Sequence, residues 1–160
     1  MRSYKYIIIH CSDSEWGDAK VIDSWHKERG FKEIGYNYVV MNGRRKTKNE
    51  YEASEDGLVE LGRAITKEGA HCIGYNSNSI GICLIGVRDF TVAQYKALFK
   101  LINNDLKQYN IPIANILGHC ETASGKKEGK TCPNINMNSL RLLLENAKDD
   151  EKFFELLKPK

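Results

Sequence analysis

The 160-residue sequence predicts a single α/β domain, residues 1–160, built on a central mixed sheet flanked by helices. Two observations predict it. Short β-branched runs alternate along the chain with stretches of helical periodicity, the order expected of strands crossed over by helices. Hydrophobic residues make up 41% and charged residues 28%, the balance of an ordinary globular chain. A chain of this length buries about two-thirds of its unfolded surface and needs neither disulfide nor metal merely to fold.

The elements follow in order. Tyr6-Ile-Ile-Ile-His10 reads as a buried strand, and Ser12 to Asp18 as a loop of small and acidic residues. Lys20 to Arg29 places Val21, Ile22 and Trp25 on one helical face, and Gly30 stops it. Tyr36 to Met41 is the next strand, followed by the turn dipeptide Asn42-Gly43. Arg44 to Asp56 is polar and charged, an exposed excursion closed by Asp56-Gly57. Leu58 to Glu60 and Ser79 to Ile85 are strands, the second ended by Gly86. Thr91 to Tyr109 is the clearest helix, opened by a Thr91/Gln94 capping box and carrying Val92, Tyr95, Leu98, Phe99, Ile102 and Leu106 as a stripe. Ile113 to Leu117 is a last short strand. A loop from Gly118 to Asn138 and helices over Ser139–Ala147 and Asp150–Leu157 finish the chain.

Composition bounds the function. A net charge of +3 is small, and no basic stripe with interleaved aromatics is present, so no nucleic-acid partner is expected. The apolar runs are too short to cross a membrane. The amino terminus enters a strand at once, with no signal-peptide core, so synthesis in the cytoplasm is expected. Five cysteines, an odd count without small-protein spacing, argue against a disulfide framework.

Three of the four histidines directly precede cysteine: His10-Cys11, His71-Cys72 and His119-Cys120. Side chains alternate along a strand, so each dipeptide offers one ligand to a given site, and Cys11 and Cys120 are expected to pack in the core. His10 and His119 both fall at the ends of predicted strands, where open α/β sheets bind ligands. Cys132 lies thirteen residues past His119, ahead of Pro133. Two imidazoles and one thiolate would give zinc three protein ligands and leave a fourth position open, the arrangement of a catalytic site. A metal-free cysteine–histidine nucleophile is the competing reading of the same residue types. Lone histidines are also often structural, and His26, beside Trp25 on a helix, is read so.

Eight blocks carry a family resemblance in order: Ile7-Ile-Ile-His-Cys-Ser12; Trp25-His-Lys-Glu28; Ile34-Gly-Tyr-Asn-Tyr-Val-Val40; Gly57-Leu-Val-Glu-Leu-Gly-Arg63; Gly69-Ala-His71; Gly74-Tyr-Asn-Ser-Asn-Ser-Ile-Gly-Ile-Cys83; Gly118-His119; and Lys130-Thr-Cys-Pro133. The sequence resembles the type 2 zinc-dependent N-acetylmuramoyl-L-alanine amidases. It looks most like the short phage amidases historically called lysozymes, and is similar to the peptidoglycan recognition proteins of animals. The resemblance implies a zinc groove on one side of the sheet, with one Zn2+ held by His10, His119 and Cys132. It implies Tyr36 and Lys130 as catalytic residues and His71 as a substrate-binding residue lining the groove. The reaction would cut the amide between the lactyl group of N-acetylmuramic acid and L-alanine. The expectation is a monomeric enzyme acting on bacterial peptidoglycan after release, as a phage or prophage lysis enzyme; the alternative is a non-catalytic peptidoglycan-binding module. Some short phage amidases also inhibit the phage's own RNA polymerase, and no residue here marks such a surface. If Lys130 to Cys132 is extended, both side chains point the same way. The Arg44–Asp56 stretch looks longer than the strand connection usual in the short phage enzymes, and a lid, a substrate-contact loop and a surface decoration all fit it.

Overall fold

The computed structural model describes residues 2–160. Five strands form one mixed sheet: β1 (Tyr6–Cys11), β2 (Tyr38–Asn42), β3 (Asp56–Leu61), β4 (Ser79–Leu84) and β5 (Ile116–Gly118), in the spatial order β3-β2-β4-β1-β5. β3 is antiparallel to β2, and the other pairings are parallel. The carboxyl ends of β1 and β5, side by side, carry His10 and lead into His119.

The period of two along the strands sorts their side chains between the faces. Ile7 and Ile9 of β1, Val40 of β2, and Ile80, Ile82 and Leu84 of β4 point into the larger core. There they meet Tyr95, Leu98 and Phe99 of α2 (Val92–Lys100), Leu140, Leu143 and Leu144 of α4 (Met137–Glu145), and Phe154 and Leu157 of the C-terminal turns. Val39, Met41, Cys83 and Ile85 face the opposite side and pack with Ile22 and Trp25 of α1 (Ala19–Glu28). Asp18 caps α1, its carboxylate accepting the Val21 N–H at 2.8 Å. A short α3 spans Ala123–Lys127.

Several boundaries differ from the sequence expectation. The capping box of Thr91 and Gln94 is present, but the α-helix it opens ends at Lys100. A π-helical segment, Leu101–Asp105, follows, with the Leu106 N–H on the Leu101 carbonyl at 2.9 Å. Leu101, Ile102 and Leu106 all lie in the core. Ile113–Asn115 forms a 3-10 turn, leaving only Ile116–Gly118 as strand. Glu151–Leu157 is 3-10 rather than α. Regular pairing of β2 begins at Tyr38 rather than Tyr36, because the side chain of Asn37 replaces a backbone partner: its Oδ1 accepts the Gly81 N–H at 2.9 Å.

The Arg44–Asp56 excursion is tied down by ion pairs. The Arg45 guanidinium meets Asp18 at 2.6 Å, Glu55 at 2.9 Å and Glu60 at 2.9 Å, joining the excursion to the start of α1 and to β3. Among the described residues, no helix is long and apolar enough to cross a membrane.

Candidate metal centre and groove

The end of β1 buries His10 to 1% exposure. Its Nε2 lies 2.9 Å from Nδ1 of His71. Burial first, and the neighbouring His71 and His119 next, hold its pKa well below the ordinary histidine value, so the ring is neutral at neutral pH. His119 follows β5 in a 3-10 turn whose geometry is fixed from outside. Thr122 Oγ1 donates to the His119 carbonyl at 2.7 Å. The Glu121 carboxylate accepts the Gly118 N–H at 2.9 Å and is gripped by Arg141 at 2.7 and 2.8 Å. A Cβ on Gly125 would fall 1.9 Å from the His119 carbonyl oxygen, so only glycine allows α3 to approach so closely. Burial, then Lys130, lowers the His119 pKa also.

Cys132 arrives from the loop after α3. Its carbonyl accepts the Cys120 N–H at 2.8 Å, and its sulfur accepts the Cys11 N–H at 3.1 Å. One ligand atom from each of His10, His119 and Cys132 lies within 4.8 Å of the others. Hydrogen bonding to the Cys11 thiol, then burial, holds the Cys132 thiol above its ordinary pKa in the metal-free chain. A coordinated divalent cation reverses that balance and deprotonates such a thiol. Two neutral imidazoles and one thiol therefore fit a zinc ion by their donor chemistry.

Cys11 is buried as expected, but it also lines the groove, because the Cys132 loop wraps the end of β1 and reaches both residues there. Cys120 is only half-buried, held in the turn after β5 rather than in the core. The Lys130–Cys132 segment lies between two turns: the Lys130 N–H turns back to the Gly125 carbonyl at 2.9 Å, and a turn closes from Thr131 to Asn134.

The groove has a volume of about 750 Å³, and its lining includes His10, His119 and Cys132 together with Tyr36, His71 and Lys130. Tyr36 sits in the lead-in to β2, its ring centroid 4.9 Å from that of His10. Burial pushes its pKa well up, so it remains a phenol. Gly35 before it has no room for a side chain, since a Cβ would lie 2.0 Å from the Ala70 carbonyl oxygen. The Gly35 N–H donates to His26 Nδ1 at 2.9 Å, which gives His26 a structural partner beside Tyr36. Lys130 is exposed on the groove wall, 3.7 Å from Glu128. His71 spends both ring nitrogens internally, on His10 and on Ser79 Oγ at 3.2 Å.

Sequence reasoning gave no role to Asn76, whose Oδ1 accepts the N–H groups of His71 and Cys72 at 2.8 and 2.9 Å. The only available signal was its place in the block Gly74 to Cys83, and that does not reveal its partners. No residue of the Arg44–Asp56 excursion lines this groove. A larger hollow of about 1470 Å³ lies among α2, the π-helical segment and the C-terminal turns, and contains none of these histidines or cysteines.

A mixed sheet with two histidines and a cysteine converging in a groove at the carboxyl ends of its strands offers a three-donor site for a metal ion at the place where such sheets take their ligands. The family description "N-acetylmuramoyl-L-alanine amidase" matches residues 1–135, and the chain belongs to that family of enzymes. The endolysin of Escherichia phage T7 is 32% identical over 142 residues, 82% of this chain and 81% of the relative. Among solved structures, the amidase LysC from Clostridium intestinale shares the fold at a TM-score of 0.68 and 22% identity, covering 91% of this chain and 87% of that one. Wild-type Drosophila PGRP-LB is similar at a TM-score of 0.60 and 26% identity, covering 76% and 72%.

Proposed function

We propose that this amidase is a phage or prophage lysis enzyme that cuts peptidoglycan between the N-acetylmuramic acid lactyl group and L-alanine, using one zinc ion held by His10, His119 and Cys132. The observation that carries the reading is the convergence of those three ligand atoms within 4.8 Å, in a groove also lined by Tyr36 and Lys130. The endolysin relatives support the lytic role.

When bound, zinc supplies a Lewis acid and lowers the pKa of water toward neutrality. The chain's own groups supply the rest. Amide hydrolysis develops negative charge on the carbonyl oxygen, and fixed donors aimed there lower the barrier. Tyr36 is kept protonated by burial, so its O–H acts as a hydrogen-bond donor rather than a base. Lys130 adds positive charge on the groove wall, beside His119. Burial keeps His10 neutral, so it offers a lone pair rather than a competing proton. His71 lines the same groove, as the resemblance implies.

The test is release of free stem peptide from purified peptidoglycan, with and without chelator. Release that stops on metal removal and returns with zinc is the expected result. Activity that survives complete metal removal defeats the zinc mechanism, and binding without product leaves only a recognition module.

A further inference from the structure

We infer that His71 and Ser79 are positioning residues: they fix His10 in the tautomer that leaves Nδ1 bare and aim that nitrogen into the metal site. The inference rests on the reading of His10 as a metal ligand.

Two contacts form a chain. His10 Nε2 is 2.9 Å from His71 Nδ1, and His71 Nε2 is 3.2 Å from Ser79 Oγ. A neutral imidazole carries one N–H and one lone pair, so the chain has two self-consistent directions. If the serine hydroxyl donates, His71 donates in turn from Nδ1, and His10 carries its proton on Nδ1. Neither His10 nitrogen is then free to hold a cation. If His10 donates from Nε2, His71 accepts at Nδ1 and donates from Nε2 to the serine oxygen. Only this direction leaves a lone pair on His10. A metal-bound histidine is generally oriented by an acceptor on its second nitrogen, and here another imidazole takes the place of the usual carboxylate or carbonyl.

A second, independent observation is the cradle built around the His71 ring. A Cβ on Gly81 would lie 2.7 Å from His71 Cδ2, and a Cβ on Gly69 would lie 2.7 Å from the same atom. Both positions are cleared of side chain so that the ring can lie there. The backbone is pinned as well, by the two N–H bonds to Asn76 Oδ1. Ser79 is fully buried in β4, beside β1 in the sheet. A ring held at both nitrogens and against two glycines is fixed for orientation and leaves no nitrogen for substrate.

The experiment has two readouts. Long-range ¹H–¹⁵N spectra of the metal-free wild type, with labelled histidine, report which nitrogen of each ring carries the proton. The expected state is Nε2–H on both His10 and His71. Zinc affinity, measured by competition with a chromophoric chelator, is expected to fall about 10–100-fold in His71→Ala, the scale for loss of such outer partners. Ser79→Ala should weaken zinc in the same direction. His71→Asn, whose Oδ1 can stand where Nδ1 stood, should restore most of the affinity. Two results overturn the inference alone: a wild type that binds zinc while His10 shows Nδ1–H, or His71→Ala and Ser79→Ala chains with unchanged affinity. A folded His71→Asn chain as weak as His71→Ala also counts against it. A wild type that takes up no zinc overturns the metal reading, and this inference with it.

Discussion

The backbone N–H of Cys11 points at the sulfur of Cys132, 3.1 Å away across a sequence separation of 121 residues. That bond ties the end of the first strand to the loop after α3. An N–H donor aimed at sulfur also favours the thiolate over the thiol. Strand β1 therefore serves the site twice, through the side chain of His10 and through the next residue's amide.

Replacing Cys132 by serine removes the only sulfur among the three ligands while leaving that amide an oxygen to meet. Metal analysis of wild type purified without chelator should give one zinc per chain, and Cys132→Ser close to none. Peptidoglycan hydrolysis should fall at least about 100-fold. Far-UV circular dichroism should be unchanged, because the sheet is held by the apolar clusters on its two faces.

Tyr36→Phe deletes one hydroxyl from a half-buried ring on the groove wall. If that hydroxyl stabilises the developing oxyanion, kcat should drop by about 10²–10³ while zinc content and substrate KM stay near wild type. A rise in KM at constant kcat would assign Tyr36 to binding instead.

Acid should weaken the metal-free fold through His26. Burial, then the charges of Arg29 and Arg63, lowers its pKa to about 4. The unfolded chain protonates this ring near pH 6.5 while the folded chain does not, so unfolding takes up a proton in that window. The contribution is fully present above about pH 6.5 and is lost as the pH falls toward 4. Urea midpoints across this range should decline less steeply in His26→Asn, whose Oδ1 can still accept the Gly35 N–H. An unchanged pH dependence would mean that His26 does not titrate as described.

Arg45→Met separates anchoring from catalysis. The guanidinium joins Asp18, Glu55 and Glu60, and none of the Arg44–Asp56 residues reaches the His10 groove. Loss of these charge-assisted bonds should cost about 2 kcal/mol of stability by urea unfolding. Stem-peptide release at 25 °C should remain near wild type. A matching loss of turnover in a folded variant would revive the lid reading.

Much of this molecule was legible before any coordinates. The Ile7–Ile9 run, the Thr91/Gln94 capping box and the α1 face carrying Ile22 all read correctly, because strand alternation, capping and amphipathic periodicity are local rules. Local rules do not report what happens where elements meet. The helix after Thr91 widens into a π segment at Leu101, and Leu101, Ile102 and Leu106 all lie in the core. Asn37 enters the ladder through its side chain, and Arg45 gathers carboxylates from the cap of α1, its own excursion and β3.

The amino-acid order alone determined the family, and with it which two histidines and which cysteine to examine, since motif blocks survive as a linear record. Only the tertiary structure decided that one atom from each falls within 4.8 Å of the others, that the amide of Cys11 faces the Cys132 sulfur, and that His71 turns both nitrogens inward to His10 and Ser79. The reason is physical. Hydrogen-bond direction and ligand convergence depend on the relative placement of β1, β4, β5 and the loop after α3, and that placement is set by long-range packing of the sheet rather than by any residue's neighbours in the chain.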